Sequence, residues 1–197
     1  MKLKIPSKLS FFIVGFVGIV FFVLIISSIN RSRLIAFTQN VVSREQVDLG
    51  LPVHFIIPKI DINSVFEYVG FTSDGVMDVP NSPTNVAWFN LGPRPGEIGS
   101  AVVAGHSGWK DGAPAVFENL YKLEIGDKLY VEDEKGRTVT FVVRKVQTYS
   151  PDSNTSDIFS SSDGKIHLNL ITCAGDWDVI SKNSSSRLVV FTDKEGK

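Results

Sequence analysis

The chain begins with one unbroken apolar run and then changes rhythm. Residues 9–29 are twenty-one positions without a charge, and at 1.5 Å per helical residue they reach about 31 Å, the thickness of a bilayer core. A cleavable signal peptide has a shorter apolar region, roughly 7 to 15 residues, ahead of a small-x-small site. This run instead ends in Ser27-Ser28-Ile29-Asn30-Arg31. The pattern predicts an uncleaved single-pass anchor over residues 9–29, in contact with membrane lipid, between a short N-terminal segment, 1–8, and a polar juxtamembrane linker, 30–50. Lys2, Lys4 and Lys8 precede the run and Arg31, Arg33 and Arg44 follow it. The positive-inside rule therefore gives it almost no orientation.

Beyond residue 50 the apolar positions come in short β-branched and aromatic runs, at residues 53–58, 100–104, 128–132, 138–146, 166–172 and 188–192, separated by Gly, Pro, Asn and Asp. Such runs predict strands. Asp133-Glu134-Lys135-Gly136 lies between two of them and has hairpin chemistry, with Gly136 able to take positive φ at the turn. Residues 114–123 place Val116, Phe117, Leu120 and Leu123 at helical spacing and predict one short turn or helix packed on the barrel. The Ser- and Asp-rich stretches 150–157, 160–163 and 181–186 read as loops. No internal repeat and no strand–helix alternation is present. The fold expected is mainly β, a closed barrel or sandwich and not a doubly wound sheet.

Composition narrows the function. The 147 residues from 51 to 197 are one domain's length and can bury roughly 68–70% of their unfolded surface, so a core needs no disulfide. The single cysteine, Cys173, cannot form an internal one, and a lone thiol exposed to an oxidising exterior is a liability unless buried or used. A formal charge of −1 gives no footprint for nucleic acid. Asp61, Glu67, Asp111, Glu118 and Asp178 have no metal-ligand spacing, so neither metal nor other cofactor is expected.

The candidate chemistry is a thiol, an imidazole and a guanidinium. Cys173 closes the apolar run 167–173, His106 closes the run 100–106, and Arg187 opens the next run fourteen residues after the cysteine. Each is expected where a strand meets a loop. The thiolate attacks, and a free thiol is only a few per cent ionised at neutral pH. His106 supplies the base or the stabilising cation. Arg187, always charged and presenting a planar fork of donors, suits the oxyanion of a tetrahedral intermediate. In Ala104-Gly105-His106-Ser107-Gly108 the glycines are expected to leave the backbone room to approach a substrate. His54 and His167, inside apolar runs, read as surface or hydrogen-bonded residues. Trp109, Asp176 and Trp177 lie in segments beside His106 and Cys173 and are candidates to line a peptide groove, as is Thr172 near the oxyanion.

These residues resemble a family. Asn169-Leu170-Ile171-Thr172-Cys173 is similar to the Thr-Leu-x-Thr-Cys strand end of sortases, with Asn169 in place of the first threonine, and His106 and Arg187 stand at the family's spacing. The segments 92–106, 112–117 and 120–127 resemble the class E/F type. The match runs over residues 51–192. The resemblance implies an eight-stranded sortase-type β-barrel with one or two short helices, its strand ends gathering His106, Cys173 and Arg187. It also implies a membrane enzyme with a cytoplasmic N-terminus and an extracytoplasmic catalytic domain. Such an enzyme cleaves a Leu-Pro-x-Thr-Gly-like sorting signal between Thr and Gly, holds the peptide as a thioester, and passes it to an amine. Its partners would be sorting-signal-bearing surface proteins or pilins and an amine acceptor such as a peptidoglycan precursor.

Three other readings stay open. A hydrolase would release the peptide to water. An anchored β-barrel without catalysis would only bind a peptide or wall component. A papain-like protease would place its cysteine at a helix start, where residues 168–172 read as a strand.

Overall fold

The computed structural model describes residues 48–178 and 183–196, with Asp111, Asp176, Trp177, Asp178 and Asn183 described by their backbone alone. The expected anchor, residues 9–29, and nearly all of the linker lie outside the described residues. Among the described residues no helix is long and apolar enough to cross a membrane.

The described residues form eight strands: β1 Pro52–Ile57, β2 Ile62–Val69, β3 Val86–Phe89, β4 Gly99–Ala104, β5 Lys128–Asp133, β6 Thr138–Tyr149, β7 Ile166–Asp178 and β8 Asn183–Lys194. They close into a barrel in the order β1-β2-β3-β4-β7-β8-β6-β5. Six of them contain the apolar runs read from the sequence. The other two, β2 and β3, escape that reading because Asn63, Ser64 and Glu67 break the apolar pattern of β2, and β3 is only four residues long. The β5–β6 hairpin forms where expected. Gly136 has φ 73° and its N–H meets the Asp133 carbonyl at 2.9 Å.

The short turn or helix expected over residues 114–123 takes the form of turns. Its C-terminal part is a single 3-10 turn, Leu120–Lys122, and the residues before it form turns. Phe117, Leu120 and Leu123 are buried all the same, joined to the main core with Phe55, Phe141 and Leu168. Three apolar side chains that join the barrel core need no regular helix. The one α-helix among the described residues, α1, Ser156–Phe159, falls at the edge of a stretch read as loop. The loop expected over 181–186 is also corrected: from Asn183 onward it is strand β8.

Alternation along the strands sorts residues between the barrel interior and its outer face. On β7, Leu168 and Leu170 join the interior core, whereas Ile171 packs against a second cluster of Phe89, Val102, Tyr149, Ile158, Val189 and Phe191. This second cluster covers the outside of the β4–β7–β8 sheet, and α1 supplies Ile158 to it. The Asn169 side-chain amide donates to the Ile158 carbonyl at 2.6 Å and ties α1 down.

Candidate active site

β4 runs parallel to β7 with Ala104 opposite Ile171, and the Gly105 N–H reaches the Ile171 carbonyl at 3.2 Å. β4 ends at Ala104, and His106 follows two residues on, beyond the paired part of the ladder. On the other side of β7, Cys173 is the direct partner of Arg187 in the antiparallel ladder with β8. Partners across a ladder project from the same face. Cys173 and Arg187 therefore form one row across β7 and β8 on the outer face, next to the apolar row of Ala104, Ile171 and Val189, and His106 sits on the segment that leaves the β7-paired end of β4.

Cys173 is not at the end of its strand, as its sequence setting suggests. β7 continues to Asp178, and just past the thiol it bulges. Gly175 has φ 75°, a conformation glycine adopts freely and which marks this bulge type. The Ser186 hydroxyl donates to the Ala174 carbonyl at 2.9 Å and braces it. The Cys173 thiol is half-buried. Asp176 and Trp177 have their backbones in β7 beyond the bulge, and their side chains lie outside the described residues.

Arg187 is oriented by its own strand: Nη1 donates to the Ser184 carbonyl at 3.2 Å and to the Ser186 carbonyl at 2.9 Å. His106 is held on several sides. Its Nε2 lies 2.8 Å from the Pro80 carbonyl. A carbonyl only accepts, so Nε2 carries the hydrogen and Nδ1 is the nitrogen that can gain or lose a proton. Trp109 packs edge-on against the imidazole with centroids 4.7 Å apart, and the His106 carbonyl accepts from the Phe117 N–H at 2.8 Å.

Two expectations near His106 change. Gly105 leaves room for protein rather than substrate: a Cβ there would lie 2.5 Å from the Phe117 ring. Thr172 is 4% exposed and alternates to the interior side of β7, where its hydroxyl donates to the Gly105 carbonyl at 2.7 Å. It secures the turn that carries His106. Pro80 is the residue sequence reading missed. It contributes a backbone atom, which leaves no trace in residue type.

His54 lies on β1, whose partners are β2 and β5, away from this row. His167 shares the outer face with Cys173 but sits six residues earlier on β7, roughly 20 Å along the strand. It is buried, with Nδ1 2.7 Å from Asp193 and Nε2 3.0 Å from Asp163, and lines a polar cavity of about 550 Å³ with Ser100, Arg144 and Lys165. Bonds from the Lys165 N–H, the Ser161 hydroxyl and His167 hold the Asp163 carboxyl well below the ordinary range. This is the hydrogen-bonded histidine that the sequence suggests. Among the described residues no three His, Cys, Asp or Glu side chains are grouped to hold a metal ion.

Comparison with known proteins agrees with this fold. The Sortase domain family model matches residues 55–195. No curated protein matches the chain. Among solved structures, sortase C1 of Streptococcus agalactiae in complex with MTSET is similar at 25% identity and TM-score 0.56, covering 73% of this chain and 67% of that one. Sortase C-1 of Actinomyces oris is 23% identical over 73% of each chain, with TM-score 0.57. A lid mutant of sortase A from Corynebacterium diphtheriae is 20% identical, over 77% of this chain and 74% of that one, with TM-score 0.56. At these identities the last two likenesses speak to the fold.

Proposed function

The chain belongs to the sortase family of cysteine transpeptidases, and on that premise we propose that it cleaves a Leu-Pro-x-Thr-Gly-like sorting signal through a thioester on Cys173 and transfers the peptide to an amine. The observation that supports this reading is the pairing of Cys173 with Arg187 across β7 and β8, with His106 two residues past the end of β4 that pairs with β7. The thiolate of Cys173 attacks the threonine carbonyl, and the carbonyl oxygen takes up negative charge beside the Arg187 guanidinium. One oriented donor of this kind stabilises such an oxyanion by roughly 3–4 kcal/mol. As the intermediate collapses, the Thr–Gly bond breaks and Nδ1 of His106 gives its proton to the leaving amine, leaving the acyl group on sulfur. An incoming amine attacks the thioester, passes a proton to Nδ1, and releases the thiolate.

In this reading residues 9–29 anchor the enzyme with its N-terminus in the cytoplasm and the barrel outside. The donors are surface proteins or pilins with a sorting signal, and the acceptor is an amine such as that of a peptidoglycan precursor. The segments 92–106 and 112–117 support a place in class E/F.

The test is mass spectrometry of the full-length enzyme with candidate signal peptides. An adduct on Cys173 that a primary amine resolves to a peptide–amine product is expected, and Cys173→Ala forms neither while keeping its fold. Turnover persisting in Cys173→Ala would sink the mechanism, and release to water alone in the presence of amines would make the enzyme a hydrolase.

A further inference from the structure

Glu67 stands on β2, outside the row of reacting groups, yet it is bonded to the peptide group that holds His106. Its Oε2 accepts from the Asn81 N–H at 2.8 Å and from the Asn81 side-chain amide at 3.0 Å. Its Oε1 accepts from the Asn85 amide at 2.9 Å and from the Ser82 N–H at 3.3 Å. The Asn81 N–H and the Pro80 carbonyl are two ends of a single peptide unit. That carbonyl takes the His106 Nε2–H at 2.8 Å. A continuous relay results: carboxylate, peptide N–H, peptide carbonyl, imidazole.

We propose that Glu67 is a positioning residue for His106, acting through the Pro80–Asn81 peptide. The inference rests on the reading of His106 as the proton-transfer group. A peptide unit is planar, so fixing its N–H on Glu67 also fixes the direction of its carbonyl toward the imidazole. Hydrogen bonds in a chain polarise one another, and the negative carboxylate at one end makes the Pro80 carbonyl a stronger acceptor at the other. The rest of the loop is pinned to suit. The Ser64 hydroxyl donates to the Thr84 carbonyl at 2.8 Å and the Val116 N–H to the Pro83 carbonyl at 2.8 Å.

The charge needed for this role is present. Partial burial opposes ionisation of Glu67, but the bonds from Asn81, Asn85 and Ser82 outweigh it and keep the carboxyl below the ordinary glutamate range. The consequence for His106 is specific: its hydrogen stays on Nε2, and proton exchange is confined to Nδ1. An aspartate touching the imidazole directly would do the same, and here a peptide group stands between.

The experiment compares the full-length wild type with Glu67→Gln and Glu67→Ala, in detergent, by peptide turnover and by nitrogen NMR of histidine-labelled protein, with His106→Gln assigning the signal. In Glu67→Ala we expect kcat to fall about 10- to 100-fold, the scale of a misplaced reacting group, with KM changed less than about twofold. We also expect the His106 ring to shift from the Nε2–H form toward a mixture of tautomers. Glu67→Gln, which can still accept the Asn81 N–H but carries no charge, falls between and displaces the pH–rate profile. An unchanged imidazole signature in a folded variant overturns the proposal even if kcat drops, because Glu67 would then serve the fold alone. Should Glu67→Ala fail to fold, Glu67→Gln decides by the same criterion. Should the wild type itself turn over no peptide, the transpeptidase reading fails, and the NMR comparison still decides the relay.

Discussion

Cys173 on β7 and Arg187 on β8 are direct partners across an antiparallel ladder, so thiol and guanidinium leave the same face of one sheet. Their relative position is set by backbone pairing, and the bulge at Gly175 begins only beyond it. The guanidinium is further fixed by the Ser184 and Ser186 carbonyls.

Replacing Arg187 by alanine is expected to lower kcat for peptide cleavage by roughly 10²–10³-fold, the effect of losing one oriented donor to an oxyanion. Arg187→Lys should recover little. An ammonium cannot bond both strand carbonyls and present a planar fork at the same time. Steady-state kinetics on a signal peptide checks this, and wild-type kcat in Arg187→Lys would exclude the oriented fork.

Gly105→Ala tests the packing that seats His106. The new methyl meets the Phe117 ring at 2.5 to 2.8 Å, and that ring is 1% exposed and packed edge-on against Phe55. Overpacking of this kind costs about 1–3 kcal/mol, which lowers Tm by about 2–4 °C per kcal/mol in a domain of this size. The double variant Gly105→Ala with Phe117→Leu should regain part of the loss, because the two sites share one space. Thermal unfolding of the single variant at the wild-type Tm would show that the ring can yield.

Tyr149 gives the protein an alkaline limit. Burial and a 2.6 Å bond to the Asp157 carboxylate push its phenol up to about 12 from an ordinary value of 10.0. The folded state thus holds this proton more tightly than the unfolded chain. Its contribution to stability is full below pH 10 and fades as pH rises toward 12. Denaturant unfolding of the wild type between pH 9 and 12 should show that loss, and Tyr149→Phe should show a shallower decline over the same range. Parallel curves would place the alkaline sensitivity elsewhere.

Much of the fold can be read from local pattern. The six apolar runs became six strands because alternation and β-branched composition are properties of neighbouring residues, and the turn at Gly136 follows from a conformation that one residue type favours. Where local pattern failed, a longer-range cause had taken over. Residues 114–123 have helical spacing because Phe117, Leu120 and Leu123 join the barrel core, and β2 is hidden by Glu67 and its polar neighbours, which bond to the loop 80–85. The site divides in the same way. His106, Cys173 and Arg187 are recognisable as residue types at family spacing, whereas Pro80 is not, since its contribution is a carbonyl that every residue possesses.

By itself the sequence determined the apolar run 9–29, most of the strands, and the three candidate reactive groups, all of which depend on side-chain chemistry and short-range order. Only the tertiary structure decided that Cys173 lies within a strand opposite Arg187, that Thr172 is buried on the Gly105 carbonyl, and that Glu67 reaches His106 through a peptide group. Strand register and barrel closure bring together residues tens of positions apart, and no window of sequence contains that information.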